Sequence, residues 1–248
     1  MNQQVQVVKK SNSVLVFDVE TTGLIPKMYN GVKPTLEQYP HIIQLSFVVY
    51  NIGEHMIDYV YNAYIDVPEH IEITSKITEI TGITSEICKS HGVSILEALM
   101  EFNEYYTKCD HIVSHNLDFD RGMIRAENLR NHVDLVGQCP YIMEVFNEEY
   151  ERQYKITTYC TMRIGKNICN IMVNSKKTNP DGSFQQYKKY PKLSELYENL
   201  FNKVPVDLHN SLIDTIVCLR CFMKMWFNVV IDQEILAFYG LKEAGINI

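Results

Sequence analysis

The sequence predicts an α/β fold in which helices flank a mixed sheet. Three observations predict it: three strand patterns open the chain, a long helical pattern follows, and short strand patterns then alternate with helical ones. Residues 1–248 contain no shift in composition that marks a linker, so we expect a single domain with its core at about 13–228. Hydrophobic residues make up 46% of the chain and charged residues 21%, which excludes a largely disordered protein.

The first half of the chain predicts three strands and a helical region. The apolar run SVLVFD at 13–18 ends in an acid, and Thr-Thr-Gly, a turn signal, begins three residues after that acid. Two more strands, at 41–50 and 56–65, are separated by Asn-Ile-Gly-Glu, and this spacing favours an antiparallel hairpin. Helical spacing then covers 74–106, with Ser94 as a candidate N-cap.

The second half places short strands before helices. The predicted strands are 110–114 and 155–162, and the predicted helices are 118–130, 192–201 and 208–227. Two segments have no regular period. They are 26–40, which we expect to be a loop, and 167–192, which we expect to be a long loop or a small hairpin.

The N-terminal sequence and the cysteines indicate a cellular compartment. The chain has no apolar run of about 18 residues, which argues against a membrane-spanning helix. Its N-terminus lacks the continuous apolar core of a signal peptide. The seven cysteines therefore predict reduced thiols in an intracellular protein, either cytoplasmic or nuclear.

Charge is distributed unevenly along the chain. Residues 152–192 contain nine basic side chains and one acid, a net charge of +8, so the remainder carries −15 to give the total of −7. Such an asymmetry is a sign of a polyanionic partner. A solvated lysine-rich loop explains the segment equally well, and within it we favour a substrate channel over plain surface.

Asp18 and Glu20 are the first acids that favour chemistry. They lie two residues apart at the end of a predicted strand, so their side chains share one side of the sheet. Two neighbouring carboxylates ionise together only when a cation compensates them, and oxygen ligands suit Mg²⁺ or Mn²⁺. Alone, an Asp-x-Glu pair is weak evidence for a metal site.

Two later segments, HNLDFD and HNSLID, carry further acids. In the first, Asp120 is a candidate ligand, whereas Asp118 is better explained as a helix cap or a surface residue. In the second, His209 and Asp214 are five residues apart and so lie about 140° apart around a helix. They reach one site only if His209 lies at the frayed start of the helix or in the loop before it.

Taken together, DVETTGL, HNLDFD and HNSLID resemble the three motifs of the DEDDh family of 3′–5′ exonucleases, which includes proofreading subunits of bacterial polymerases, ribonuclease T, oligoribonuclease and the TREX-type enzymes. Further matches are TEITGITSEIC, CTMRIGK and LSELYENLF. The resemblance spans about 13–225. It implies a ribonuclease-H-like fold with a five-stranded mixed sheet, and the histidine before the last acid resembles the His-type subgroup.

The resemblance implies a catalytic centre and a reaction. It assigns metal binding to the four acids and the role of general base to the histidine: Asp18, Glu20, Asp120, Asp214 and His209. Two Mg²⁺ or Mn²⁺ ions are implied, with nucleoside 5′-monophosphates released from the 3′ end of single-stranded or frayed DNA. An RNA exonuclease of the ribonuclease T or oligoribonuclease kind is the alternative.

Substrate contacts and partners are also implied. Residues expected to surround the terminal nucleotide are Thr21, Thr22, Gly23, Leu24, His115, Asn116 and Phe119. Leu24 is a candidate wedge under the last base, with ordinary core as the alternative, and Asn116 serves equally well as a turn cap. A homodimer is plausible by resemblance. A rival from another class is a non-catalytic subunit that docks on a polymerase through 229–248.

Overall fold

The computed structural model describes residues 12–29, 31–139, 141–205 and 208–231. Five strands form its central sheet: β1 (Ser13–Thr21), β2 (Ile42–Asn51), β3 (Met56–Tyr64), β4 (His111–Ser114) and β5 (Thr157–Cys160). Their order across the sheet is β3-β2-β1-β4-β5. β1, β2 and β3 pair antiparallel, whereas β4 runs parallel to both β1 and β5. The predicted mixed sheet of five strands is confirmed.

The helices of the described residues fall on both faces of this sheet. They are α1 (Ser75–Thr81), α2 (Ser85–His91), α3 (Ile95–Lys108), α4 (Leu117–Arg130), α5 (His132–Val136), α6 (Glu148–Tyr154), α7 (Thr161–Cys169), α8 (Leu193–Phe201) and α9 (Ser211–Phe227). Short 3₁₀ turns occur at Leu36–Gln38 and Ile142–Glu144. The helices predicted at 118–130 and 192–201 are present within a residue, whereas the last helix begins three residues later than predicted.

β1 lies at the centre of the core because both of its faces are covered. Residues 15, 17 and 19 pack in one apolar cluster with α3 and α4, and Phe17 contacts Phe102 with ring centroids 5.1 Å apart. Residues 14 and 16 pack in a second cluster with α8 and α9. This alternation is the period of two expected of a strand buried on both sides.

The single helical region predicted at 74–106 is wrong in detail, because it contains three helices. Gly82 ends α1 with a left-handed φ of 72°, which glycine adopts without strain. Gly92 ends α2, and Ser94 caps α3 as predicted by accepting a hydrogen bond from the N–H of Leu96. The short helices α5 and α6, between α4 and β5, were not predicted, because neither is long enough to display a clear period.

The segment that follows β5 is more regular than the sequence indicates. The predicted strand 155–162 is shorter than expected, since α7 begins immediately after β5. The segment 167–192 begins inside α7 and then forms an antiparallel hairpin of β6 (Met172–Thr178) and β7 (Phe184–Lys188). Of the two structures expected for this segment, the small hairpin is confirmed.

Arg130 holds the long loop between β1 and β2 against α4. Its guanidinium donates hydrogen bonds to the carbonyl oxygens of Leu36, Tyr39 and Pro40 at 3.0, 2.5 and 2.8 Å. It also donates to the buried carboxylate of Glu127 at 2.7 Å. One side chain therefore satisfies three loop carbonyls and neutralises a buried acid.

All seven cysteines are free thiols. Within the part of the chain that the structure describes, no helix is long and apolar enough to cross a bilayer. The proposed docking segment 229–248 lies outside the described residues from residue 232 onward.

Candidate active site

Asp18 and Glu20 lie inside β1, and not at its end as predicted. The strand continues to Thr21 because β2 continues to pair with it, whereas β4 pairs only as far as Val16. Both acidic side chains are half-buried and alternate with the buried Phe17, Val19 and Thr21. They therefore share one side of the sheet, next to the position where β4 has already ended.

Asp120 reaches the same place from the start of α4. Its carboxylate is buried and accepts hydrogen bonds from the hydroxyl of Ser114, the last residue of β4, and from the backbone N–H of Val19. Asp120 thus occupies the edge of β1 that β4 leaves open. The turn that delivers it passes through Asn116, whose φ of 148° is unusual for a residue with a side chain.

Asp214 arrives from the first turn of α9, with His209 just ahead of that helix. Asn210 is the N-cap, and its side chain accepts a hydrogen bond from the N–H of Leu212 at 3.1 Å. His209 adopts a left-handed φ of 75°, and its backbone N–H donates to the Asp214 carboxylate at 3.2 Å. Of the two positions expected for His209, the frayed start of the helix and the loop before it, the structure has the loop. Its side chain is exposed.

The carboxylates converge into one acidic cluster. One oxygen each from Asp18, Glu20 and Asp214 lies within 4.8 Å of the other two. Burial raises the pKa of Asp18 well above its usual range, and the charges of the other carboxylates raise it further. Burial, followed by the charges of Asp214 and Asp120, raises the pKa of Glu20 to about 8. These carboxyl groups therefore ionise together readily only when a cation compensates their charge.

Asp120 and Asp214 show the same electrostatic signature. Burial raises the pKa of each to about 7, although hydrogen bonds from Ser114 and Val19 to Asp120, and from His209 to Asp214, act in the opposite direction. The Oδ1 atom of Asp214 is buried without a hydrogen-bond partner among the described residues. An all-oxygen donor group with an unsatisfied buried carboxylate oxygen fits a hard divalent cation.

Gln44 and Ser46 on β2 fix the start of α9, and the sequence analysis did not identify them. The side chain of Gln44 accepts a hydrogen bond from the N–H of Ser211 at 3.3 Å, and the hydroxyls of Ser46 and Ser211 lie 2.5 Å apart. These β2 residues stand opposite the acids of β1, because Gln44 pairs with Glu20 and Ser46 with Asp18. Two polar residues at alternate positions of an apolar strand were the signal that could have found them.

The last four residues of the first motif, 21–24, are placed differently from one another. Thr22 is joined to His41 by two hydrogen bonds of 2.9 Å, one through its N–H and one to its hydroxyl. The buried Thr21 donates its hydroxyl to the carbonyl of Gly23 at 2.6 Å. Leu24 is 83% exposed, so the core alternative for this residue is wrong. Its role as a wedge stays a prediction.

The remaining predicted contact residues surround the start of α4. His115 is engaged inside the protein: its Nε2 donates to the carbonyl of Pro191 at 3.2 Å, and its Nδ1 lies 2.9 Å from the hydroxyl of Thr161. Burial lowers the pKa of His115 to about 4. Both ring nitrogens of His115 therefore have hydrogen-bond partners within the protein, so this residue is suited to shaping the site. Asn116 is exposed, and Phe119 packs against the core.

Asp118, the other acid of HNLDFD, does not join the cluster. It is half-exposed and forms ion pairs with Arg121, at 3.0 Å, and with Arg163. The surface role predicted for it is confirmed. Because it lies two residues from Asp120 yet faces solvent, it is a natural control for experiments on the cluster.

Comparison with known proteins gives matches at three levels. The family model RNase_T, described as an exonuclease, matches residues 15–222. A PolC-type DNA polymerase III from Latilactobacillus sakei subsp. sakei (strain 23K) is 31% identical over 129 residues, which are 52% of this chain and 8% of the polymerase. The chain thus matches a small part of that relative.

Among solved structures, the fold is similar to that of E. coli exonuclease I. The complex of that enzyme with a dA16 oligonucleotide has a TM-score of 0.58 at 14% identity, covering 92% of this chain and 42% of that one. The complex with a dT13 oligonucleotide has a TM-score of 0.58 at 14% identity, covering 86% and 41%. The chain therefore spans less than half of these proteins, and at this identity the likeness establishes the ribonuclease-H-like fold.

Proposed function

This chain belongs to the RNase_T family of exonucleases, and on that premise we propose that it is a DEDDh-type exonuclease that removes nucleotides from the 3′ end of DNA. The observation that carries the proposal is the convergence of Asp18, Glu20 and Asp214 within 4.8 Å, with Asp120 bound to the edge of the same strand. Three segments far apart in sequence supply these acids. The exposed His209 stands next to them, as the His-type subgroup requires.

The acidic cluster gives each residue a role in the proposed reaction. Asp18, Glu20 and Asp214 would hold one divalent cation, Mg²⁺ or Mn²⁺, and Asp120 together with Asp18 would hold a second. When bound, such ions stabilise the negative charge that develops on the attacking and leaving oxygens of a phosphodiester. Their charge also offsets the repulsion that raises the pKa values of the carboxylates.

His209 would accept the proton of the attacking water. An imidazole changes its charge near neutral pH, which suits a general base at physiological pH. Because the backbone N–H of His209 is bound to the Asp214 carboxylate, the imidazole is attached to the part of the chain that borders the cluster. The left-handed φ at this residue is a local strain that the N-terminus of α9 maintains.

DNA is the favoured substrate. The E. coli exonuclease I structures hold deoxyribonucleotide oligomers, and the PolC-type relative is a DNA polymerase, although the chain covers small parts of both. Discrimination between DNA and RNA depends on how the site treats the 2′-hydroxyl. Leu24, the exposed last residue of the first motif, would support the terminal base without selecting its identity.

The test compares Asp120→Asn with Asp118→Asn. Each variant is incubated with 5′-labelled single-stranded DNA or RNA of matched sequence in Mg²⁺ or Mn²⁺, with EDTA as a further control. We expect the parent and Asp118→Asn to produce a ladder that shortens from the 3′ end, and Asp120→Asn and the EDTA samples to produce none. The ratio of DNA to RNA rates decides the substrate. A folded, metal-supplied parent that degrades neither oligomer would overturn the proposal.

A further inference from the structure

The hairpin of β6 and β7, residues 172–188, is a separate two-stranded sheet on the surface. Every residue of β7 is exposed, and most of β6 is exposed as well. Phe184 and Tyr187 are 56% and 53% exposed. A lone two-stranded hairpin has marginal stability in water, and large exposed rings on such an element indicate a binding surface.

Charge distinguishes this hairpin from the rest of the chain. Residues 172–188 contain three lysines and one aspartate, a net charge of +2, so the rest of the chain carries −9. Lys189 is paired with Glu195 at 2.5 Å. The ion pairs found among the described residues include none that involves Lys176, Lys177 or Lys188, and all three are exposed. The hairpin therefore presents uncompensated positive charge in an acidic protein.

The strand register places the ring of Phe184 and the ammonium group of Lys188 on the same face. Phe184 pairs with Thr178, and Lys188 pairs with Met172. Because side chains alternate along a strand, Phe184, Gln186 and Lys188 share one face of β7. This face of β7 therefore carries three groups in a row: a ring for stacking, an amide for hydrogen bonding and an ammonium group for ionic contacts.

The base of the hairpin is attached to the candidate active site. The N–H of Lys189 donates to the carbonyl of Ile171 at 3.0 Å and closes the hairpin. Two residues later, the carbonyl of Pro191 accepts from Nε2 of His115, which directly follows the Ser114 that binds Asp120. The hairpin thus leaves the fold beside the motif that supplies one of the four acids.

We propose that this hairpin binds the single-stranded nucleic acid that lies upstream of the 3′-terminal nucleotide. The lysines meet the phosphates, and the exposed ring of Phe184 stacks on a base, a combination that binds single strands with little regard to sequence. The proposal rests on the proposed exonuclease function, because it takes the same strand as the ligand of both surfaces. The positive charge of the hairpin favours a polyanion as its ligand over a protein surface that is poor in acids.

The experiment measures binding without cleavage. The full chain is titrated in EDTA into 5′-fluorescein-labelled oligo(dT) or oligo(U) of about 20 nucleotides, a length beyond a single small site, and anisotropy is followed at several salt concentrations. The variant is K176Q/K177Q/K188Q. The matched control is K76Q/K89Q/K108Q, which removes the same charge from helices α1, α2 and α3.

The expected result is a change in both affinity and salt dependence. Each phosphate contact on a single strand contributes about 0.7 to the slope of log affinity against log salt, so the hairpin variant should lose about 2 from that slope. Its affinity at low salt should fall at least tenfold, about the loss expected for three contacts. The control should match the parent. Phe184→Ser should weaken binding several-fold while leaving the slope unchanged, because stacking involves no ion release.

Two outcomes overturn the proposal. If the lysine variant and Phe184→Ser both bind as the parent does, the hairpin does not hold the strand, and an acidic protein partner becomes the better explanation of its charge. If the control triple loses as much as the hairpin triple, the effect is one of net charge alone. A second assay distinguishes failure of the hairpin proposal from failure of the proposed exonuclease function. Hydrolysis of the p-nitrophenyl ester of thymidine 5′-monophosphate reports on the acidic cluster alone, so the hairpin variants should retain this activity.

Discussion

Glu20→Gln should make the metal-free protein more stable while abolishing the proposed activity. Burial and the charges of Asp214 and Asp120 raise the pKa of Glu20 from 4.5 to about 8. The native state therefore retains a proton that the unfolded chain has already lost between these pH values. Proton binding by the native state means that stability falls as pH rises from about 4.5 to about 8. Gln has no proton to lose and removes this dependence.

The magnitude follows from the same pKa. At about 1.4 kcal/mol for each tenfold change in proton affinity, Glu20 lowers the free energy of unfolding by about 3 kcal/mol at pH 7. Partial solvent exposure of this side chain reduces the figure, so we expect Glu20→Gln to gain about 1–3 kcal/mol at pH 7 and nothing at pH 4.5. Saturating Mg²⁺ should stabilise the parent and narrow the gap, because the cation binds only the native cluster.

The assay is urea denaturation in EDTA between pH 4.5 and 8, followed by the same series in Mg²⁺. Glu79→Gln, which alters an exposed acid of α1, is the control for the chemistry of the substitution and should leave the pH dependence of the parent unchanged. The reasoning would be refuted if the stability of Glu20→Gln in EDTA fell with rising pH as steeply as that of the parent. Ionisation of Glu20 would then not be what destabilises the metal-free protein.

Three further predictions concern other parts of the molecule. Gly92→Ala should lower the free energy of unfolding, measured by urea denaturation, by about 3 kcal/mol, because a Cβ there would lie 2.2 Å from a backbone carbonyl oxygen. Gly137→Ala is the control: the space around Gly137 is open, so this change should be neutral or slightly stabilising. Equal effects of the two substitutions would contradict the prediction. Arg130→Met should destabilise by about 3–5 kcal/mol, since it leaves Glu127 buried without its cation, and protection of the β1–β2 loop from hydrogen exchange should fall with it. His209→Asn should lower the turnover rate by about 10²–10⁴-fold. The thermal stabilisation by Mg²⁺ should remain in that variant, and its loss would mean that His209 acts through the metal site.

The shared side of Asp18 and Glu20 could be predicted from the sequence because its signal is local. Asp18 and Glu20 follow an apolar run with a spacing of two, and a strand of any length places them on one side. Likewise, the spacing of five between His209 and Asp214 excludes a common helix face, which left the frayed start of the helix or the loop before it for the histidine. Such conclusions need only the geometry of one strand or one helix.

Long-range pairing decided what the sequence could not. β1 extends beyond Asp18 because β2 pairs with it through Thr21, and its local sequence, with an acid and two threonines, does not indicate such a length. Gln44 and Ser46 become part of the site only because the β1–β2 register sets them opposite the acids and against α9.

The sequence by itself therefore determined the fold class and predicted which acids to expect at the site, whereas the tertiary structure decided their surroundings. For example, the sequence around His115 does not show which group its ring will contact. That contact is the carbonyl of Pro191, 76 residues later, which lies against Nε2 of His115. Local periodicity records which face of an element is buried. It does not record which distant backbone group will lie against that face, because that depends on the register and packing of elements separated by long stretches of chain.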